Sequence, residues 1–97
     1  MSDTVIKQLK KPWTVGGQQA TDVELREPTV KDLVDAEKEA NPAIGPHAFN
    51  VALACQTMVR AGTFTGPFVA AHFNSLSARS WYVLREGMQE AEALGEA

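Results

Sequence analysis

Apolar and polar residues alternate over the first quarter of the chain, which is the pattern of β-strands with one buried face. The alternation predicts strands over 4–9, 13–15 and 18–26. Gly16-Gly17, between the last two of these strands, suits a two-residue hairpin turn, because glycine readily adopts the positive φ angles that such turns require. We therefore expect an antiparallel β-meander of two or three strands within residues 4–27.

Pro28 ends the alternation, and the signal for a helix start follows it at once. Proline has no N–H to give to a sheet, so the last strand should end before it. Thr29 and Asp32 have the spacing of a capping box, in which the Thr hydroxyl accepts from the backbone N–H of residue 32. The chain should therefore change from strand to helix here.

Apolar residues beyond Thr29 recur with helical spacing, which predicts a bundle of three or four helices in the part 29–94. The expected helices cover 30–40, 47–61, 67–74 and 78–94. The second of these is apolar over most of its girth, so it should be central, either in the monomer core or at an oligomer interface. The expected fold is α+β, in a single domain over 1–97 with frayed ends at 1–3 and 95–97.

Individual residues within this helical part predict further details. Val30, Leu33 and Val34 form one stripe of the first helix together with Glu37. Gly62 suits the position after the second helix, Pro67 the first position of the third, and Ser77 the N-cap of the fourth. Gly87 lies inside the fourth helix, where it would allow close packing of a neighbouring element.

Composition narrows the classes of function. The chain has 97 residues and a net charge of −3, which argues against nucleic-acid binding, since phosphate recognition needs clustered Lys and Arg. The single cysteine excludes an internal disulfide framework and suits a reducing cytoplasm. Neither a signal peptide nor an apolar run of about 20 residues is present, so we expect a protein that remains in the cytoplasm.

Residues that could carry out chemistry are few and scattered. His47 and His72 have no Cys or carboxylate neighbours at metal-ligand spacing, and Cys55 lies within the most apolar predicted helix. No glycine-rich phosphate loop and no nucleophile motif occurs. We therefore expect neither an enzyme nor a metal or cofactor site.

Seven aromatic residues are enough to build one core, and that is the first interpretation of them. The second is that Phe64, Phe68 and Phe73 form an exposed apolar groove for a partner helix, because Phe residues on both sides of Gly66-Pro67 do not pack well as a single stripe. The candidate partner-binding residues combine these with the apolar stripe of the last helix: Phe64, Phe68, Phe73, Trp81, Leu84 and Met88.

Four short motifs follow one another in the first third of the chain: Leu9-Lys10-Lys11-Pro12, Val15-Gly16-Gly17-Gln18, Val23-Glu24-Leu25-Arg26-Glu27-Pro28-Thr29 and Asp32-Leu33. This series resembles the opening of the small tail assembly chaperones of contractile-tailed bacteriophages, the E/41/14-type family. The apolar helix, the Gly-Pro connector and the last helix also match the family's layout in outline.

The resemblance implies a non-enzymatic protein of the host cytoplasm that is absent from the mature virion. Such chaperones bind the tape measure protein, a long helix-rich chain, and keep it soluble while tail tube subunits polymerise around it. The implied partners are the tape measure protein, a longer frameshifted form of the chain itself, and further copies in a homo-oligomer. From the charge balance, the lack of a long apolar run and the lack of a binding motif, we expect no nucleic acid, membrane or cofactor as a partner.

Two alternatives remain open at this point. The first is a minor structural or head–tail joining component of a phage virion, which would use an edge of the β-meander for strand addition. The second is a small helical DNA-binding regulator, with the third and fourth helices as a helix-turn-helix. The acidic charge balance makes the second the weaker alternative.

Overall fold

A three-stranded antiparallel sheet with helices packed against it forms the computed structural model, which describes residues 4–94. The elements in chain order are β1 (Thr4–Val15), β2 (Gln18–Arg26), α1 (Val30–Glu39), α2 (Pro46–Thr57), β3 (Met58–Ala61), a 3-10 helix (Ala70–Ser75) and α3 (Ala78–Ala93). The sheet has the order β1-β2-β3. The predicted α+β class is confirmed, and the predicted frayed ends lie outside the described residues.

The hairpin between β1 and β2 turns at Gly16-Gly17, as predicted, with φ angles of 59° and 77°. The two predicted segments 4–9 and 13–15 are one strand, which is interrupted by a register shift between Gln8 and Trp13. At this irregularity, the Ser80 hydroxyl of α3 accepts from the Lys11 N–H and donates to the Lys11 carbonyl, each at 3.1 Å. The bulged part of β1 is therefore attached to α3.

The junction between β2 and α1 has the predicted capping box and an ion pair that the sequence did not reveal. The Thr29 hydroxyl accepts from the Asp32 N–H, and the Asp32 carboxylate accepts from the Thr29 N–H at 2.8 Å. Arg26 donates to both carboxylate oxygens of Asp32, at 2.7 and 3.0 Å, and to the Gln56 carbonyl of α2 at 2.8 Å. Arg26 thus joins β2 to the start of α1 and the end of α2.

The Asp32 carboxylate makes the stability of the fold dependent on pH. The Arg26 guanidinium, helped by hydrogen bonds from Thr29, lowers the pKa of Asp32 from 3.8 to about 2. A carboxyl group with a lowered folded-state pKa stabilises the fold above its unfolded pKa, and this contribution is lost as the pH falls through about 4 to about 2. We expect Asp32→Asn to lower the free energy of unfolding by about 2 kcal/mol at neutral pH and by much less near pH 2.

Urea denaturation of the wild type and Asp32→Asn at both pH values measures this difference. Asp35→Asn is the matched control, because Asp35 pairs with exposed lysines on the surface of α1 and should lose less than about 1 kcal/mol. An equal loss for Asp32→Asn at both pH values would contradict the assignment.

The segment Met58–Ala61 is β3, so the prediction of a helix over 47–61 is wrong for its last four residues. The helix ends because this segment pairs with the free edge of β2, where Arg60 lies opposite Glu24. The Arg60 guanidinium donates to the Glu24 carboxylate at 2.9 Å and to the Asp22 carboxylate at 3.1 Å. Gly62, with a φ of 57°, consequently follows a strand and not a helix.

The predicted third helix over 67–74 is also wrong in its first turn. Residues 67–69 are not helical, Val69 is extended, and only Ala70–Ser75 is helical, as a 3-10 helix. The Val69 N–H donates to His72 Nδ1 at 3.1 Å, which fixes the start of this short helix. The helix at the C-terminal end begins as predicted, with the Ser77 hydroxyl accepting from the Ser80 N–H.

Helix α1 turns its predicted apolar stripe towards solvent. Val30 is 75% exposed and Val34 44% exposed, whereas Asp32 and Ala36 are buried. Two features determine this rotation. The ion pair with Arg26 holds the Asp32 side chain towards β2, and the small Ala36 side chain lets α1 lie close to α2. α1 therefore presents an apolar face that no other described element covers.

The core lies between the sheet and the helices α2 and α3. Its members come from every main element: Trp13, Val15, Ala20, Val23, Leu25, Ala36, Ala52, Leu53, Ala54, Met58, Ala61, Phe68, Phe73, Trp81, Leu84, Met88 and Ala91. At Gly87 a Cβ atom would lie 2.7 Å from Leu25 Cδ1, so the close packing predicted at this glycine is confirmed. This packing fixes α3 against the sheet, and thereby the residues of its first turns.

Candidate functional site

A cleft of about 390 Å³ opens where the N-terminal ends of α2 and α3 meet the end of the 3-10 helix. Its lining combines apolar and aromatic side chains with a comparable share of polar surface: His47, Val51, Phe73, Leu76, Ala78, Trp81 and Tyr82. His47 and Val51 are four residues apart on α2 and so lie on the same face of that helix. We refer to this feature as the aromatic cleft.

The floor of the aromatic cleft consists of Phe73 and Trp81, whose rings meet edge to face with centroids 6.0 Å apart. Trp13, which is fully buried, also packs on Phe73, with ring centroids 5.1 Å apart. The indole N–H of Trp13 donates to the His72 carbonyl at 3.0 Å, so the strand β1 holds the 3-10 helix in place. The floor is therefore part of the core and is fixed before any partner binds.

The rim of the aromatic cleft carries amphipathic rings. His47 is exposed and meets Trp81 edge to face at 5.2 Å. Tyr82 is 65% exposed, and tyrosine is a residue that proteins commonly use for contacts with partners. A fixed apolar floor with exposed rings around it is suited to receiving apolar side chains of another protein, as helix-binding grooves do.

Two of the six predicted partner-binding residues, Phe73 and Trp81, line the aromatic cleft. Phe64 is half-buried and packs edge to face on Phe68 at 5.1 Å. Leu84 and Met88 are buried between α3 and the sheet. The four residues outside the cleft therefore serve the core in the isolated chain.

The exposed groove predicted from Phe64, Phe68 and Phe73 is not observed, because Phe68 and Phe73 turn inward and are only 9% exposed. The 3-10 geometry, which differs from the predicted α-helix, points Phe73 towards Trp13. The interpretation of these aromatics as core residues is confirmed for both. The α2 wall of the cleft was not predicted from the sequence, although the pair His47 and Val51 has the spacing of a helix face.

The reactive side chains of the described residues include one thiol, that of Cys55. Cys55 is half-buried, and burial raises the pKa of its thiol to about 11, so the thiol stays protonated at neutral pH. Between residues 4 and 94 no group of three or more His, Cys, Asp or Glu side chains could hold a metal ion. None of the helices described has the length and apolar character that crossing a membrane requires.

Comparison with known proteins identifies one family. The family model described as phage tail assembly chaperone proteins, E, or 41 or 14, matches residues 7–91. Neither the curated proteins nor the solved structures contain a significant match. The matched range includes the whole lining of the aromatic cleft.

Proposed function

The chain belongs to the family of phage tail assembly chaperones E, 41 or 14, and from this membership we propose that it binds an apolar helical segment of the tape measure protein. By covering this segment, the chain keeps the tape measure protein soluble while the tail assembles. The family also indicates a non-enzymatic role. In this proposal the chaperone acts in the host cytoplasm and leaves before the virion is complete.

The aromatic cleft is the observation that carries this proposal. Its volume of about 390 Å³ accommodates a few side chains of a partner, not a whole helix. A helix lying across the cleft would insert residues of its apolar stripe against Phe73 and Trp81, with Tyr82 and His47 closing around them. Such an interface is modest in area, which allows the partner to be released when tail tube subunits replace the chaperone.

Co-expression with the tape measure protein tests the proposal. We expect a soluble complex in size-exclusion chromatography with light scattering, and aggregation of the tape measure protein when it is expressed alone. A tape measure protein that is equally soluble without the chain, together with no co-elution, would overturn the proposal. Mass spectrometry of purified virions tests the proposed release, which requires that the chain is absent from them.

Self-association is a second part of the proposal, and the exposed face of α1 supports it. Val30, Leu33 and Val34 are apolar and exposed there, which is unusual for a helix that has a buried side. We propose that copies of the chain associate through this face. Light scattering of the isolated chain should give more than the monomer mass, and Val34→Lys should return it to the monomer.

A further inference from the structure

A second depression, of about 320 Å³, lies beside the aromatic cleft and carries basic residues. It is lined by Lys10, Arg79, Tyr82, Val83 and Glu86. Tyr82 lines both features, so the aromatic cleft and this basic depression are neighbours on the surface of α3. A segment bound in the cleft would therefore have one side next to Lys10 and Arg79.

The cations of the basic depression form no ion pair with another residue in the range 4–94. Among residues 4–94, none of the salt bridges involves Lys10 or Arg79, and both residues are exposed. Glu86 is the acidic residue of the lining, and its carboxylate lies 3.8 Å from Lys7 Nζ, which pairs more closely with Glu90 at 2.7 Å. The depression thus carries two cations and one carboxylate, an excess of positive charge on a chain whose net charge is −3.

The position of Arg79 is itself unfavourable for the isolated fold. Arg79 is in the first turn of α3, where the helix dipole disfavours a positive charge, and no acidic residue of that turn offsets it. Lys10 is brought close by the bulge in β1, which Ser80 attaches to α3 through the Lys11 backbone. The fold therefore places two cations together at a site where they do not stabilise it.

From this geometry we infer that the segment bound in the aromatic cleft is an amphipathic helix with Asp or Glu along one side of its apolar stripe. The inference rests on the proposed function and adds the charge of the partner to it. The apolar stripe contacts Phe73 and Trp81, and the acidic residues pair with Lys10 and Arg79. The net negative charge of the chain repels the acidic side of a bound helix, except next to the basic depression. The depression therefore also fixes the orientation of the bound helix.

Two synthetic helical peptides of about 20 residues, long enough to cross the chain, test the inference. Both have the same Leu and Phe stripe, and they differ only in having Glu or Lys along one side of it. Fluorescence anisotropy at low salt should show that the Glu peptide binds the full chain about tenfold more tightly than the Lys peptide. The preference should decrease as the salt concentration rises.

The double variant Lys10→Glu, Arg79→Glu should reverse this preference. The control Lys31→Glu, Lys38→Glu makes the same change in net charge on α1 and should keep the preference for the Glu peptide. Equal binding of the two peptides, or no effect of the double variant, would overturn the inference. Because the co-expression test uses the tape measure protein itself, a complex there with no peptide preference here would overturn the charge assignment alone.

Discussion

The double variant Ala78→Glu, Tyr82→Glu is expected to bind the tape measure protein at least about a hundredfold more weakly than the wild type. Both residues are exposed and line the aromatic cleft, so the change leaves the core intact. Each new carboxylate would have to lose its water when an apolar stripe enters the cleft. A carboxylate at position 82 would also occupy Lys10 and Arg79, which the acidic side of the partner needs. Co-purification and titration of the variant with the tape measure protein measure the effect.

The matched control is Ala48→Glu, Gln89→Glu, which adds the same two charges at exposed helical positions outside the cleft lining. Ala48, like Ala78, is in the first turn of its helix, so the effect of the new charge on the helix is comparable. The control should keep wild-type affinity. Equal weakening by both double variants would show that net charge, and not the cleft, determines binding.

Trp13→Ala should have the largest effect on stability, a loss of about 3–5 kcal/mol in the free energy of unfolding. Trp13 is fully buried, packs on Phe73 and holds the 3-10 helix through its indole N–H. A domain of this size has a total stability of about 5–15 kcal/mol, so the variant should be close to unfolding. Urea denaturation followed by circular dichroism measures the loss.

Trp13→Phe separates the two roles of the indole. It keeps most of the packing on Phe73 but removes the hydrogen bond to the His72 carbonyl, so we expect a smaller loss than for Trp13→Ala. Tyr82→Ala changes a largely exposed ring and should alter stability by less than about 1 kcal/mol. A loss at Trp13 no greater than that at Tyr82 would show that the floor of the cleft is not part of the core.

The sequence was sufficient to predict those structural features that depend on residues only a few positions apart. The turn at Gly16-Gly17 depends on the φ angles of two residues, and the capping boundary at Thr29 depends on a side chain three positions away. Ser77 likewise caps the helix that it precedes. In each case the residues that determine the structure are close together in the sequence, so their pattern can be recognised without knowledge of the fold.

Tertiary interactions decided the features that the sequence did not predict. Met58–Ala61 has a helix-compatible composition, but the free edge of β2 and the two carboxylates that face Arg60 favour a strand. The rotation of α1 depends on the contact of Asp32 with Arg26, a residue of the preceding strand. The α2 wall of the aromatic cleft, His47 and Val51, was not predicted for the same reason, because α2 approaches Phe73 and Trp81 only in the folded chain.

Photo-crosslinking from position 82 is the most direct test that the aromatic cleft binds the tape measure protein. Tyr82 is replaced by the photoreactive aromatic residue p-benzoylphenylalanine during co-expression, and Gln89, an exposed residue of the same helix outside the cleft lining, is replaced as the control. Our account predicts a crosslink from position 82 to an apolar helical segment of the tape measure protein, and none from position 89. A complex that forms but crosslinks from position 89 and not from position 82 would contradict it.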